Sequence, residues 1–292
     1  MIGIISYLPN DDELRNKRVG NCKKQIEWLH KVFPNECPVV VAQNYHEDDK
    51  VTECNVEYLM YEKGIGSHKA RNTILEKFYN SSDEWLLLLD DDVVTYDYYE
   101  ADKWVADVYY RKYDKYPLNI VLALQPETSP FKELNIKNDV AHYYTLTKSA
   151  ATNCPNMMLF RHPDKEHEVF FDDTIDLLAE DAVPDDNKFI VECIHKGMNV
   201  HRADFWIKKS FDRLVSVIYS KDKDENWQQH ANLGKNLANY IIKTYKVKNV
   251  AEFNKIYNKT LPIRIEREEV YKVPENLLPK KKVEVNNTKR LF

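Results

Sequence analysis

Short apolar runs alternate with longer amphipathic segments along the first two thirds of the chain. The apolar runs are continuous, which is typical of strands that are covered on both faces. Seven such runs predict strands over residues 2–7, 38–42, 56–60, 85–89, 120–124, 156–161 and 198–202. Because amphipathic segments separate many of them, the pattern predicts an α/β fold with a mostly parallel sheet covered by helices.

Apolar positions at helical spacing predict helices over residues 16–33, 98–113, 225–245 and 250–257. The last predicted strand ends at residue 202, and only helices are predicted after it. We therefore expect an α/β domain over residues 1–210 and a helical extension over residues 211–273. Residues 274–292 are basic and poor in apolar side chains, which favours a flexible tail.

Three consecutive aspartates, Asp90, Asp91 and Asp92, directly follow the apolar run at 85–89. Open α/β sheets bind their ligands at the carboxyl ends of the strands, where this cluster lies. Side chains alternate along a strand, so Asp90 and Asp92 should point to one side and Asp91 to the other. Two carboxylates on one side suit Mg²⁺ or Mn²⁺, whereas the alternative interpretation is a solvated acidic turn.

A turn with two glycines, Gly64 and Gly66, precedes the helix that leads into this strand. Ser67 is a suitable N-cap, and Lys69 and Arg71 lie in the first two turns. Amide groups at a helix N-terminus, together with two basic side chains, can form a phosphate site. The alternative is a turn that carries solvated charges.

Together these two elements resemble the nucleotide-sugar glycosyltransferases with the GT-A fold, in particular the family-2-like group. The resemblance rests on Gly66-Ser67-His68-Lys69-Ala70-Arg71-Asn72, a following strand and Asp90-Asp91-Asp92-Val93, and it covers residues 1–210. It implies a nucleotide-diphosphate sugar as donor and Mn²⁺ or Mg²⁺ as cofactor.

The resemblance also implies roles for individual residues. Asp90 and Asp92 would hold the metal, with His201 as a further ligand. The residues implied in binding the nucleotide and its phosphates are Ser6, Tyr7, Lys69, Arg71, Asp90 and Asp91. Taken alone, the first two also fit an ordinary strand end, and a histidine in a strand is more often structural.

An acidic pair, Glu180-Asp181, precedes a segment that ends at Gly197. It resembles the Glu-Asp element of the same enzymes, which opens a helix. The resemblance implies that Asp181 is the general base for the acceptor hydroxyl, in a reaction that inverts the sugar configuration. Glu180 would position the acceptor or the base.

Two other acidic pairs compete for this role. Asp185-Asp186 follows Pro184, which interrupts the expected helix, and Asp172-Asp173 follows two phenylalanines. An acidic helix start also needs no catalytic explanation, because its charges interact favourably with the helix dipole. The sequence leaves these alternatives open.

Composition limits the setting of this chemistry. The chain has 292 residues and a net charge of −5, with both signs interspersed, so no global basic field attracts nucleic acid or anionic membrane. Five scattered cysteines without C-x-x-C spacing are typical of reduced thiols, and neither a signal peptide nor an apolar run of spanning length is present. These features predict a protein without a transmembrane segment in the cytoplasm, or in the host cytoplasm if it is viral.

The acceptor is not written in the sequence. A glycan, a lipid-linked sugar, a protein or a hydroxymethylated base in DNA, as in bacteriophage genome modification, would each fit. Two other classes stay open: a nucleotidyltransferase, and a non-catalytic module that binds carbohydrate or nucleic acid on the same fold. Nucleotidyltransferases usually carry a glycine-rich basic loop after the first strand, where this chain has Pro9-Asn10-Asp11-Asp12.

Overall fold

The computed structural model describes residues 1–91, 93–94, 119–124, 136–137, 140–141, 144–145, 157–174, 182–183, 185–206, 208–209 and 235–257. For the strands between residues 93 and 145 and between residues 199 and 209 it describes the backbone alone. The helix predicted over residues 98–113 and the tail over residues 274–292 lie outside the described residues.

One eight-stranded sheet forms the centre of the described structure. Its strands are β1 (Ile2–Tyr7), β2 (Val39–Gln43), β3 (Glu57–Tyr61), β4 (Trp85–Asp90), β6 (Asn119–Leu124), β9 (Tyr144–Thr145), β10 (Met157–Arg161) and β11 (Asn199–Trp206). Two small pairs form separate sheets: β5 (Val93–Val94) with β12 (Lys208–Lys209), and β7 (Ile136–Lys137) with β8 (Val140–Ala141).

The large sheet is mostly parallel. Its order is β3-β2-β1-β4-β10-β6-β11-β9, and within it β10 and β9 run against the other strands. All the predicted strands are present, and their bounds are close to those predicted except that β11 continues to Trp206. With helices packed on the sheet, this arrangement confirms the predicted α/β fold with a mostly parallel sheet.

The helices are α1 (Asp12–Val32), α2 (Ser67–Tyr79), α3 (Asp185–His195), α4 (235–245) and α5 (Val250–Tyr257). Helix α1 begins before its predicted start at residue 16, because the Asp11 carboxylate accepts a hydrogen bond from the Leu14 amide and caps the helix.

Different helices cover the two faces of the sheet. Leu86 and Leu88 of β4 belong to the core beneath α2 and α3. Leu87 and Leu89 are buried on the opposite face, the side on which Arg18 of α1 contacts Asp91. This alternation continues into the aspartates that end β4 and decides which helix each of them meets.

Helices α4 and α5 pack on the same core as α3. Leu237, Ile241 and Phe253 belong to the cluster of buried side chains that also contains Phe189 and Ile190 of α3. The described part of the predicted C-terminal extension is therefore in contact with the α/β domain.

Two expectations about the setting can be compared with the described residues. Cys22, Cys37, Cys54 and Cys193 are free thiols, as expected, and Cys154 lies outside the described residues. Among the helices in the described ranges, none combines the length and apolar character needed to cross a bilayer.

Candidate active site

Strand β4 ends at Asp90, and the side chains of Asp90 and of the next residue, Asp91, face opposite sides of the sheet. Asp90 pairs with Arg71 of α2, whereas Asp91 pairs with Arg18 of α1. The predicted alternation is confirmed for these two residues. Asp92, the second aspartate predicted to bind the metal, lies outside the described residues.

The Asp91 cluster consists of Asp91, Arg18, Ser6 and Tyr45. Oδ1 of Asp91 lies 2.6 Å from Nη2 of Arg18, and Oδ2 accepts a hydrogen bond of 2.5 Å from the Ser6 hydroxyl. The Ser6 oxygen also lies 2.6 Å from the Tyr45 hydroxyl. Asp91 and Ser6 are 3% and 1% exposed, so both make their contacts inside the protein.

Burial keeps the groups around Asp91 neutral. It raises the pKa of the Cys22 thiol to about 12, with a smaller contribution from the negative charge of Asp91. It also raises the pKa of the Tyr45 hydroxyl well above its usual value. Neither group ionises near neutral pH, so the Asp91 cluster has the features of an internal support for the tips of β1 and β4.

The Arg71 cluster joins one guanidinium to three carboxylates, those of Asp90, Asp185 and Asp186. Nη2 of Arg71 lies 3.0 Å from Oδ1 of Asp90. Nη1 lies 3.2 Å from Oδ2 of Asp185 and 2.6 Å from Oδ1 of Asp186. Arg71 is only 5% exposed, so it holds the tip of β4 and the start of α3 together from within.

The charge of Arg71 is secured by its neighbours. Burial alone would lower the pKa of the Arg71 guanidinium, but the negative charges of Asp186, Asp90 and Asp185 outweigh burial and raise it above its ordinary value. Arg71 is therefore a permanent cation. Carboxylates gathered at the carboxyl edge of a parallel sheet can bind a cation or accept a proton from a hydroxyl.

Helix α3 begins at the acid pair Asp185-Asp186, directly after Pro184. Proline is frequent at helix starts, and acidic side chains in the first turn interact favourably with the helix dipole. The expectation that Glu180-Asp181 opens this helix is wrong, because residues 182–183 are not helical. Both of those acids lie outside the described residues, so their catalytic roles stay predictions.

The turn before α2 brings Ser67 and Arg71 against α3. Gly66 has a φ of 88°, in the left-handed region that favours glycine, and it is the N-cap in place of the predicted Ser67. Ser67 is the first helical residue, and its hydroxyl donates to Oδ2 of Asp185 at 3.1 Å. Lys69, by contrast, is exposed at this end of the helix.

Asn72, next to Arg71, fixes a segment that packs against α3. Its side-chain nitrogen donates to the Phe171 carbonyl at 2.8 Å, and its side-chain oxygen accepts from the Phe171 amide at 2.8 Å. The Phe171 ring lies 5.2 Å from the guanidinium carbon of Arg71 and stacks on Phe189 of α3 at 4.1 Å. The Ala-Arg-Asn sequence thus contacts both α3 and the chain packed beside it.

The predicted donor-binding residues divide into two groups by exposure. Buried and bonded inside the protein are Ser6, Arg71 and Asp91. Partly or fully exposed are Tyr7, Lys69 and Asp90. His201 lies in β11 opposite Val121 of β6, and because its side chain is outside the described part of the chain, its role as a ligand stays a prediction.

Arg18 and Tyr45 of the Asp91 cluster had no role in the sequence interpretation, and Asn72 was named there only as part of the motif that carries the resemblance. Arg18 lies 73 positions from its partner Asp91, and Tyr45 lies 39 positions from Ser6, so neither carries a local signal. Asn72 carries a local signal only through its place in the Ala-Arg-Asn sequence.

Oxygen ligands that fit a divalent cation are present at the tip of β4. The Asp90 side chain is 19% exposed there, and carboxylates suit Mg²⁺ or Mn²⁺. A separate group, Asp164, Glu166 and His167, offers ligand atoms within 4.8 Å of one another. It follows β10, which runs against β4, so it lies at the opposite edge of the sheet from Asp90.

No protein-family model matches the chain, and no curated protein is similar to it in sequence. Among solved structures, it is similar to residues 1–349 of TarS from S. aureus, with 15% identity, a TM-score of 0.46, and 84% of this chain and 73% of that chain covered. The same fragment in complex with UDP-GlcNAc is similar with 14% identity and a TM-score of 0.46, and the match covers 85% of this chain and 76% of that chain. A protein of Desulfovibrio desulfuricans G20 described as a nucleotide-diphospho-sugar transferase is similar with 11% identity and a TM-score of 0.41. That match covers 84% of this chain and 96% of that chain.

Proposed function

We propose that this protein is a metal-dependent glycosyltransferase that moves a sugar from a nucleotide-diphosphate sugar to an acceptor hydroxyl with inversion of configuration. The observation that carries the proposal is the Arg71 cluster, in which acids from the tip of β4 and from the start of α3 converge at the carboxyl edge of the sheet. Such a transferase needs a cation site for the leaving diphosphate and a carboxylate for the acceptor, and these two elements supply both kinds of group.

The donor half of the site lies around the tip of β4. Asp90 and Asp92 would hold Mg²⁺ or Mn²⁺, with His201 as a further candidate ligand. The bound metal would neutralise the charge that develops on the leaving diphosphate. We assign the exposed Lys69 to the phosphates and the half-buried Tyr7 to the nucleotide. Ser6, Asp91 and Arg71, which are bonded inside the protein, support these groups instead of contacting the donor.

The acceptor half of the site is the first turn of α3. In the enzymes that the sequence resembles, the second acid of a pair at the start of this helix takes the acceptor proton. Asp186 is in that place here, and its contact with Arg71 fixes its orientation. We therefore assign the general base to Asp186 and a positioning role to Asp185, which is bonded to Ser67. Asp181 is the alternative base.

The start of α1 disfavours a nucleotidyltransferase. Enzymes of that class bind phosphates on the loop after the first strand. Here the Asp11 carboxylate occupies the helix N-terminus and accepts a hydrogen bond of 2.9 Å from the Leu14 amide. A negative charge at this position opposes the binding of an anion to the same amides.

For the acceptor we propose a glycan or a hydroxymethylated DNA base, modified in the cytoplasm. The two acceptors differ in their dependence on salt, because neutralised DNA phosphates release counterions. Transfer to DNA should therefore weaken steeply between low and physiological salt, whereas transfer to a neutral glycan should not.

Thermal stabilisation by nucleotide diphosphates and nucleotide sugars, with and without Mn²⁺, tests the donor site. A ligand at about 100 times its Kd stabilises the folded state by about 2.7 kcal/mol. We expect metal-dependent stabilisation of the wild type and of Asp186→Asn, and its loss in Asp90→Asn. No stabilisation by any nucleotide would contradict the proposed function and favour a non-catalytic binding module.

Turnover, measured as release of the nucleotide diphosphate, then identifies the base. Asp186→Asn should lose about 10²- to 10⁴-fold in rate while it still binds the donor. Asp181→Asn is the matched comparison and should keep most of the activity. The opposite result, with turnover retained in Asp186→Asn and lost in Asp181→Asn, would assign the base to Asp181.

A further inference from the structure

A stripe of polar residues runs along α3 away from the acid pair. Asp185, Lys188 and Glu192 follow one another at intervals of three and four residues, so they lie on one face of the helix. Asp185, in the first turn, contacts Ser67 and Arg71. The two later positions contact other parts of the chain.

Glu192, at the far end of the stripe, is bonded to α4. The hydroxyls of Tyr240 and Tyr245 both donate to its Oε1, the latter at 2.8 Å. Burial and the hydrogen bond to Glu192 raise the pKa of Tyr240 to about 12 and raise that of Tyr245 above its ordinary value. Both hydroxyls therefore keep the protons that they donate.

Lys188, in the middle of the stripe, connects α3 to two further segments. Its ammonium group pairs with Asp172 and lies 4.9 Å from the centre of the Tyr240 ring. Helix α4 also contacts the chain ahead of α3, because Nδ2 of Asn236 donates to the Ala182 carbonyl at 3.0 Å. Polar contacts from α4 thus reach both the entry to α3 and its later turns.

The apolar side chains of α3 and α4 share one core, and such contacts specify the register of α3 less strictly than directed hydrogen bonds do. Phe189 and Ile190 share a core with Leu237 and Ile241, and apolar contacts have no preferred direction. Hydrogen bonds do have one. A slip by one residue would move the acid pair about 1.5 Å along the axis and turn it by about 100°, out of reach of Arg71.

We infer that Glu192, Tyr240 and Tyr245 are positioning residues: through them, helix α4 fixes the register of α3 and therefore the place of Asp185-Asp186 beside Arg71. The inference rests on the proposed function, because it assigns the consequence to catalysis. It makes α4 a part of the catalytic unit and not an independent appendage.

Removing the two hydroxyls while keeping the rings tests the inference. In Tyr240→Phe/Tyr245→Phe we expect kcat for nucleotide diphosphate release to fall about ten- to a hundredfold, because a small displacement of a catalytic group has effects of this size. The KM for the donor and the metal-dependent thermal shift should change by less than about twofold, since these contacts do not involve Asp90.

Three single variants sharpen the result. Glu192→Gln keeps an oxygen acceptor and should retain most of the activity, whereas Glu192→Leu should resemble the double variant. Tyr257→Phe is the matched control, since Tyr257 belongs to the same aromatic group as Tyr245 but α5 contributes no hydrogen bond to Glu192 among the described contacts.

Hydrogen exchange of the α3 amides gives a readout that does not need turnover. We expect faster exchange in α3 in the double variant than in Tyr257→Phe, with α2 unchanged. If the double variant lost only thermal stability, with kcat per folded molecule and α3 exchange as in the wild type, the positioning role would be overturned. If the wild type showed neither stabilisation by a donor nor turnover, the proposed function would be refuted. The hydrogen exchange of α3 would then show, without any activity measurement, whether the hydroxyls of Tyr240 and Tyr245 hold α3 in place.

Discussion

Asp90 and Asp91 are neighbours in sequence, yet one belongs to a shared ionic cluster and the other to a matched pair. Asp91 is buried with a single arginine, Arg18, and the Ser6 hydroxyl. Asp90 is partly exposed and shares Arg71 with two acids of α3. An aspartate alone does not mark a candidate active site. Asp90 is a candidate because it is partly exposed and shares its arginine with other acids, whereas the buried Asp91 supports the fold.

The two clusters also connect different elements. The Asp91 cluster joins β1, α1 and the tip of β4, which all lie within the first 91 residues. The Arg71 cluster joins the same strand tip to α3, which lies 114 positions along the chain from Arg71. The first therefore stabilises one half of the sheet, whereas the second brings the proposed donor and acceptor halves together.

Removing the shared cation should have the largest effect. Arg71→Met leaves the carboxylates of Asp90, Asp185 and Asp186 without their common partner, and breaking a buried ion pair costs about 3–5 kcal/mol. We expect the free energy of unfolding in urea to fall by about this amount. Arg71→Lys should recover only part of it, because an ammonium group cannot bridge several carboxylates as a planar guanidinium does. Lys69→Met, on the same helix but exposed, is the control, and an unfolding midpoint for Arg71→Met equal to that of the wild type would contradict the central role of Arg71.

Neutralising Asp90, the last residue of β4, and Asp91, the residue after it, should have unequal effects. Asp91→Asn weakens a buried, charge-assisted pair and should lower the free energy of unfolding by about 1.5–3 kcal/mol. Asp90→Asn should lower it by less than about 1 kcal/mol, because Arg71 keeps two other carboxylates, but should abolish the Mn²⁺-dependent thermal shift with a nucleotide. Urea unfolding and thermal shifts of both variants check this. Equal losses of stability would remove the distinction between the clusters.

The smallest effect is expected at Asp172, which pairs with Lys188 near the surface. Burial would raise the pKa of Asp172, but hydrogen bonds from Lys188 and Thr174 outweigh it and lower the pKa from 3.8 to about 2. Because the folded value lies below the unfolded one, the pair stabilises the fold fully above the unfolded value, and this stabilisation is lost as the pH falls towards about 2. The pair is partly exposed, so we expect a contribution of about 1 kcal/mol or less.

Unfolding of Asp172→Asn, measured between about pH 4 and about pH 2, checks that expectation. The variant should show a flatter pH dependence of the free energy of unfolding than the wild type. Asp173→Asn, at the exposed neighbouring position, should show the wild-type slope. Identical slopes for all three proteins would mean that the pair with Lys188 does not stabilise the fold.

Much of the fold could be predicted, because it depends on patterns within single elements. Central strands give continuous apolar runs since both of their faces are covered, and β1, β2 and β4 lie within a residue of their predicted bounds. Gly197 ends α3 with a φ of 86°, as expected of a glycine after a helix. The start of α3 was misplaced because the resemblance placed Glu180-Asp181 at the helix start, whereas the helix begins at Asp185, the residue after Pro184.

Local pattern was also enough to foresee that Asp90 and Asp91 point apart, because alternation is a property of the extended backbone. It could not foresee which acids Arg71 would meet or that the Ser6 hydroxyl would be bonded to Asp91. Those contacts join residues 114 and 85 positions apart. They depend on where each helix packs on the sheet, and packing of that range is set by the whole core and not by any single stretch of the chain.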